Sequence, residues 1–248
     1  MKNAARLILA SLAFALAGLL IALIKLGASK LFDPGILFVL RFSLLQSLAS
    51  VAVSIVCGGL LGIVLLRAPE ATRTRSLALL ALPSLVGSVL VISAIARWTT
   101  FGWFTVIAVH AWWNIPWVAW TILEAARGMP AGLRAMALSL GAGARALGSW
   151  AAWPWVRAAL VRASLQVFLF CWMSFAVVLV LGGGPPVESL ETAIYSAVRG
   201  GAWEPSVAAA AALWQVLVGA AAAAALGWSA RAQKRVRARG EGGDIRES

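Results

Sequence analysis

The chain has 248 residues, 62% of them hydrophobic and 12% charged, with a mean hydropathy of +0.90. Soluble domains average roughly 45–50% apolar and about 25% charged residues. The composition therefore excludes a disordered chain and leaves too few polar residues to cover an ordinary soluble globule. A net charge of +12 and a pI near 11.5 would suggest nucleic acid in a soluble protein, whereas in a membrane protein the same excess orients the chain.

Six stretches without a formal charge approach or exceed the roughly 20 apolar residues that a helix needs to cross the hydrocarbon. They give expected spans at about 7–24, 43–66, 77–96, 103–123, 158–181 and 206–229, the fifth being charge-free from 163 onward. Alternating β-barrel patterning is absent, so the spanning structure is helical. The basic residues 1–6 followed by an apolar run resemble a signal peptide. The run of 18 residues exceeds the roughly 7–15 of such a core, and no clean small-x-small cleavage site follows. The expectation is an uncleaved helix.

The cations set the orientation. With the N-terminus inside, 16 of the 21 Lys and Arg residues fall on the cytoplasmic side. Only Lys25, Lys30, Arg41, Arg97 and Arg199 fall outside. The positive-inside rule then places both termini in the cytoplasm. The basic tail 230–248 reads as a stop signal beside anionic headgroups, with no nucleic-acid partner expected. The whole chain, 1–248, reads as a single transmembrane domain.

Asp33-Pro34-Gly35 is a turn signal in the first outer connection, and 36–42 is expected to lie along the membrane surface. The fourth connection, about 127–157, is long for a membrane hairpin and lies on the cytoplasmic side. It reads as a helix-forming run 133–140, a Gly141-Ala142-Gly143 break, a second short run 144–152, and then Trp153-Pro154-Trp155. Proline suits the first turn of a following helix, where its missing N–H costs nothing. A helical elbow of this kind is suited to docking a soluble partner.

Here the sequence resembles the inner-membrane permease subunits of binding-protein-dependent ABC importers. Their hallmark loop runs Glu-Ala-Ala-x-x-x-Gly and, further on, Ile-x-Leu-Pro. With the hallmark glycine on Gly141, the Glu-Ala-Ala falls on Ala135-Met136-Ala137 and the closing proline on Pro154. Ser139-Leu140-Gly141-Ala142 matches the common core of the loop. The literal Glu124-Ala125-Ala126 upstream is a decoy, because its glycine would fall on Pro130 and its proline on Gly143. The motif Glu is Ala135 here, the Ile is Ala151 and the Leu is Trp153. The resemblance therefore implies docking of an ATPase through apolar contacts and through Arg134 or Arg145, without the family's Glu link. The implied ATPase-coupling residues are Arg134, Ala135, Ala137, Ser139, Leu140, Gly141, Arg145 and Pro154.

The resemblance runs from Phe42 onward. Pro83 falls where the family has a proline early in a span. His110-Ala111-Trp112-Trp113-Asn114-Ile115-Pro116 matches the family's His-x-x-x-Asn-x-Pro helix. Phe170 to Phe175, Leu181-Gly182-Gly183-Gly184-Pro185 and Leu190 to Tyr195 look most like the amino-terminal half of thiamine permeases, with iron(III) permeases as close relatives. Those proteins usually carry two such halves in one chain. The resemblance implies a six-helix all-α fold of the MetI-like type in a bacterial inner membrane. It also implies partners: cytoplasmic ABC ATPase subunits that hold ATP and Mg, an extracytoplasmic solute-binding protein, and a second permease half, as another copy or a different chain.

No catalytic constellation is present. Gly182-Gly183-Gly184 lacks the Gly-Lys-Ser/Thr of a phosphate loop and reads as a turn, so no cofactor is expected on this chain. The lone His110 cannot build a metal site. It sits mid-span, where an ionisable group is rare and functional-site hypotheses begin. A hydrogen bond to Asn114, one turn away, is the structural alternative. Trp112 and Trp113 also fall mid-span, away from the interfacial belt that accounts for Trp98, Trp103, Trp153, Trp155, Trp203 and Trp228. Rings at that depth can stack on a cationic aromatic solute or simply pack. His110, Trp112, Trp113, Asn114 and Ser174 form the candidate translocation path. The competing class is a secondary transporter or membrane scaffold. The Gly141-to-Pro154 spacing and the paucity of intramembrane carboxylates argue against it.

Overall fold

The computed structural model describes residues 2–85, 88–128, 132, 135–136, 139–141, 153–200 and 203–243. Among these the chain is helical, with no strand beyond one isolated bridge between Gly184 and Val187. Among the described residues, four helical segments are long and apolar enough to cross a membrane: Pro34–Leu66, Trp103–Arg127, Trp155–Trp172 and Pro205–Arg231. The sequence predicts six spans.

Helix α1, Lys2–Gly27, contains the expected first span. A 3-10 turn, Ala28–Lys30, leads to Asp33, whose side chain accepts from the Gly35 N–H at 3.0 Å and caps α2, Pro34–Leu66. Pro34 occupies the first helical position, where no N–H is needed. The Gly35 N–H and the Lys30 ammonium hold the Asp33 carboxyl below its ordinary range. At 1.5 Å per residue the 33 residues of α2 reach about 50 Å. The 36–42 stretch is thus continuous with the span and is not a separate surface segment. Nothing between Gly35 and Leu66 breaks the helix, and Arg41 stays exposed.

The expected third span, 77–96, is divided into α3, Glu70–Leu85, and α4, Ser88–Ala96. Pro83 lies inside α3, two residues before its last described residue. Helix α5, Trp103–Arg127, runs unbroken through Pro116.

The expected fifth span, 158–181, is also two pieces. Helix α6, Trp153–Trp172, starts earlier, and after Met173-Ser174-Phe175 the short α7, Ala176–Leu181, follows. The break is tolerated because its freed carbonyls are satisfied from other helices. Gln46 Nε2 of α2 donates to the Cys171 carbonyl at 3.2 Å, and Gln215 Nε2 donates to the Trp172 carbonyl at 3.1 Å. Trp172 is buried and returns its indole N–H to the Gln215 carbonyl at 3.1 Å.

Gly182-Gly183-Gly184 forms a turn, with Gly183 and Gly184 at φ near +83° and +84°. It leads through a cis Pro185–Pro186 peptide to α8, Leu190–Arg199, which opens on a Ser189/Thr192 capping box. Helix α9, Pro205–Gly243, carries Gln215 and continues beyond the expected span end at 229.

The largest interface among the described residues is α2 against α5. Gln46 meets His110, Gly58 meets Val118 and Gly62 meets Ile122, so the two helices run parallel. Helix α2 presents buried Ser43, Ser47, Ser50, Ser54, Gly58 and Gly62 at three- and four-residue spacing, the small-residue stripe that lets membrane helices approach closely. A Cβ on Gly58 would lie 2.7 Å from Val118 Cβ and 2.8 Å from the Ile115 carbonyl oxygen. Gly27 makes the same kind of approach between α1 and α9, where a Cβ would meet the Ala210 backbone nitrogen at 2.7 Å.

Candidate translocation site

The break between α6 and α7 faces α5. His110 is buried, with its Nδ1 3.1 Å from Gln46 Oε1 and its Nε2 2.8 Å from Ser174 Oγ. The glutamine amide donates to the Cys171 carbonyl and to Ser47 Oγ. A carbonyl only accepts, so Gln46 turns its oxygen to His110, and Nδ1 is the donor there. In the neutral ring Nε2 then accepts from the Ser174 hydroxyl. Asn114 does not bond the imidazole: its Nδ2 donates to the His110 backbone carbonyl at 2.7 Å and approaches Cys171 Sγ at 3.7 Å. The ring is thus held across helices by Gln46 and Ser174, where the sequence suggests Asn114. A side chain one turn along the same helix reaches the backbone more readily than a ring pointing away from it.

These groups floor a cavity of about 730 Å³. Its walls come from α3 to α7: Leu77, Ala81, Ile92, Trp113, Pro116, Trp117, Trp120, Phe170 and Phe175 join His110, Asn114 and Ser174. Four of the five expected path residues share this space. Trp112 does not. It lies on another face of α5 and lines a separate cavity of about 660 Å³ with Trp98 and Phe104. Adjacent positions on a helix diverge by about 100°, and here that turn carries Trp112 and Trp113 to different voids.

Trp117 and Trp120 also line a third cavity, of about 360 Å³, with Thr121, Glu124, Trp155, Arg162 and Gln166. The sequence reasoning passes over both rings. Their signal is the spacing 110, 113, 114, 117, 120, 121, 124, a polar and aromatic stripe down one face of a spanning helix. It passes over the serine–glycine stripe of α2 as well, readable in the same way. Among the described residues no group of three or more His, Cys, Asp or Glu is placed to hold a metal.

At the end of the bundle where α2 and α5 finish, Arg73 donates to the Leu65 and Leu66 carbonyls, each at 2.7 Å, capping α2. Glu70 bridges Arg73 and Arg127. The Arg127 guanidinium, ahead of the other causes, holds the Glu70 carboxyl below its ordinary range. Beyond Gly128, helical backbone is present at Gly132, Ala135, Met136 and Ser139. The Leu140 N–H reaches the Met136 carbonyl at 3.1 Å, and Gly141 follows at φ +76°. That left-handed glycine is the usual stop for a helix. Met136 and Leu140 are exposed, Leu140 to 80%. Ala135 and Ser139 lie on the same exposed segment. Arg134, Ala137 and Arg145 lie outside the described residues. Pro154 is the second residue of α6.

At the opposite end, a cleft of about 520 Å³ joins Lys30, Asp33, Pro185, Pro186, Glu188 and Glu204. Glu191, beside it on α8, accepts from Gln215 Nε2 at 3.0 Å. Burial raises its carboxyl above the ordinary value, against the lowering effect of that bond.

Among characterised proteins, the thiamine transport system permease protein ThiP of Escherichia coli is 30% identical over 205 residues, covering 75% of this chain. The chain resembles a thiamine transport permease. The protein of that name in Haemophilus influenzae is 28% identical over 186 residues, 67% of the chain. The one in Brucella suis is 34% identical over 99 residues, 40% of the chain. The match spans 38%, 35% and 18% of those three proteins' lengths. No family model matches the chain. An all-helical chain with four apolar helices of spanning length fits a multi-pass membrane permease.

Proposed function

We propose that the chain is one permease half of an ATP-driven thiamine importer of the bacterial inner membrane. The observation that carries this reading is the likeness to thiamine transport permeases over three quarters of the chain. It pairs with a second permease half, either a copy or a different sequence, to enclose the path. The 16-to-5 distribution of cations supports cytoplasmic termini and a cytoplasmic 127–157 loop.

There an ABC ATPase, which holds the ATP and Mg, docks on 133–152. Exposed Met136 and Leu140 supply the apolar contact, and Arg134 and Arg145 of the same loop sequence supply charge. A solute-binding protein docks at the opposite end, over the cleft edged by Asp33, Pro185 and Glu188. Closure of the ATPases drives the path between inward- and outward-facing states. It does so only to the extent that nucleotide favours one state over the other. The interrupted α6–α7 element is of the discontinuous kind found at transporter binding sites.

The test is thiamine uptake into vesicles holding this chain, its second half, the ATPase and the binding protein. Uptake should require ATP and fall to background without the ATPase. Gly141→Val should insert normally and lose coupling. Among the described residues a Cβ there meets nothing within 4 Å, so the cost falls on the left-handed backbone. ATP-independent uptake, or full coupling in that variant, would count against the proposal.

A further inference from the structure

The central cavity and the cavity beside Glu124 share two residues, Trp117 and Trp120. Their ring centroids lie 5.4 Å apart with the planes tilted by 40°, and Phe170 meets Trp117 edge-on at 6.4 Å. Trp120 is 45% exposed although it sits within a spanning helix. The indole N–H groups of Trp172 and Trp214, by contrast, each donate to a backbone carbonyl, as buried packing tryptophans do. The Trp117 indole nitrogen is buried with no hydrogen-bond partner among the described residues, and such an orphan donor calls for an explanation.

The linings supply a second argument. Among the described residues the central cavity is bordered by no Asp, Glu, Lys or Arg. A cation inside it meets only neutral polar groups and aromatic faces, and tryptophan is the ring that attracts cations best. Charged side chains enter only at the neighbouring cavity, where Glu124, already paired with Arg127, and Arg162 form the lining.

We propose that Trp117 and Trp120, too close together to admit a guest between them, form a one-sided clamp whose faces hold a flat organic cation where these two cavities share their lining, with the Trp117 N–H donating to an acceptor on the guest. This rests on the thiamine reading above for its choice of guest, since thiamine carries a cationic aromatic thiazolium ring and hydrogen-bond acceptors.

The test is equilibrium binding to the full chain in detergent. The probes are thiamine and an isostere whose thiazolium is replaced by an uncharged aromatic ring. The clamp requires thiamine to bind roughly tenfold or more tightly than the neutral isostere. Trp117→Ala and Trp120→Ala should each remove most of that preference, while Trp228→Ala on the exposed face of α9 leaves it intact. Should either alanine variant fail to fold, judged by size exclusion, Trp117→Phe and Trp120→Phe carry the test. They keep the ring with a weaker cation attraction, and Trp117→Phe also removes the N–H. Equal affinity for both probes, no thiamine binding by the unaltered chain, or unchanged preference in the variants would overturn the clamp. Uptake separates the two proposals. ATP-driven uptake with no effect of the ring substitutions sinks the clamp alone. Cation-selective binding at these rings without ATP-driven uptake by the assembled transporter sinks the importer reading alone.

Discussion

The α2–α5 seam and the α6–α7 break lie side by side and are built on opposite principles. At the seam, serine and glycine remove side-chain bulk so that two uninterrupted helices touch backbone to side chain, with a Gly58 Cβ denied space by Val118 and the Ile115 carbonyl. At the break, helix continuity is given up, and the carbonyls of buried Cys171 and Trp172 accept from Gln46 and Gln215. The break borders a void of about 730 Å³. In lipid no hydrophobic force draws helices together, so close van der Waals contact and satisfied polar groups must each supply cohesion. One region uses the first and the other the second, which makes the seam a rigid support and the break a place where geometry can change.

The contrast is sharpest at Gly58. Gly58→Leu should destabilise by about 3 kcal/mol or more, at or above the usual range for overpacking, because backbone and a branched side chain stand in the way. The expected readout is a collapse in monodisperse, folded protein. Tolerance of leucine there would mean the seam is looser than its contacts indicate.

Gln46→Leu comes next, since Gln46 belongs to the seam by position and to the break by its bonds. It would orphan the His110 Nδ1–H, at about 1–3 kcal/mol for a buried group, and leave the Cys171 carbonyl with the Ser174 N–H at 3.3 Å as its remaining partner. Thermal unfolding in detergent should register the loss, and Gln46→Asn should not restore it because the shorter side chain cannot span the distance.

Ser174→Ala removes one hydrogen bond, worth about 1 kcal/mol, and leaves the seam untouched. The unfolding midpoint should move little while uptake by the assembled transporter falls. Equal losses of both would erase the distinction between support and moving part.

The smallest effect concerns Glu191, whose carboxyl is raised by burial. Its folded form holds the proton more tightly than the unfolded form. Its stability contribution is therefore full below the ordinary value of 4.5 and is lost as pH rises through the raised value. Glu191→Gln keeps an acceptor for Gln215 and should flatten that part of the stability–pH curve, with a modest gain at neutral pH. A curve that falls on acidification in the unaltered chain would not count against this by itself. Asp33 and Glu70, whose carboxyls are lowered, lose their contributions in that direction.

The amino-acid sequence alone determined that this is a helical membrane chain, because apolar runs of spanning length and scarce charges leave no other solvent for most of its surface. It also determined the family likeness, through the spacing of Gly141 to Pro154 and the His110 to Pro116 segment. It did not determine where the expected spans break. Whether the helix is interrupted at Ser174 depends on whether other helices can satisfy the carbonyls there, and those partners, Gln46 and Gln215, are far away in sequence. Nor did it decide the partners of His110, or that Trp113 and Trp112 face different voids. Only the packing of α2, α5, α6 and α9 brought together Gln46, His110, Ser174, Trp117 and Trp120, because hydrogen bonds and cavities are properties of surfaces that meet in space.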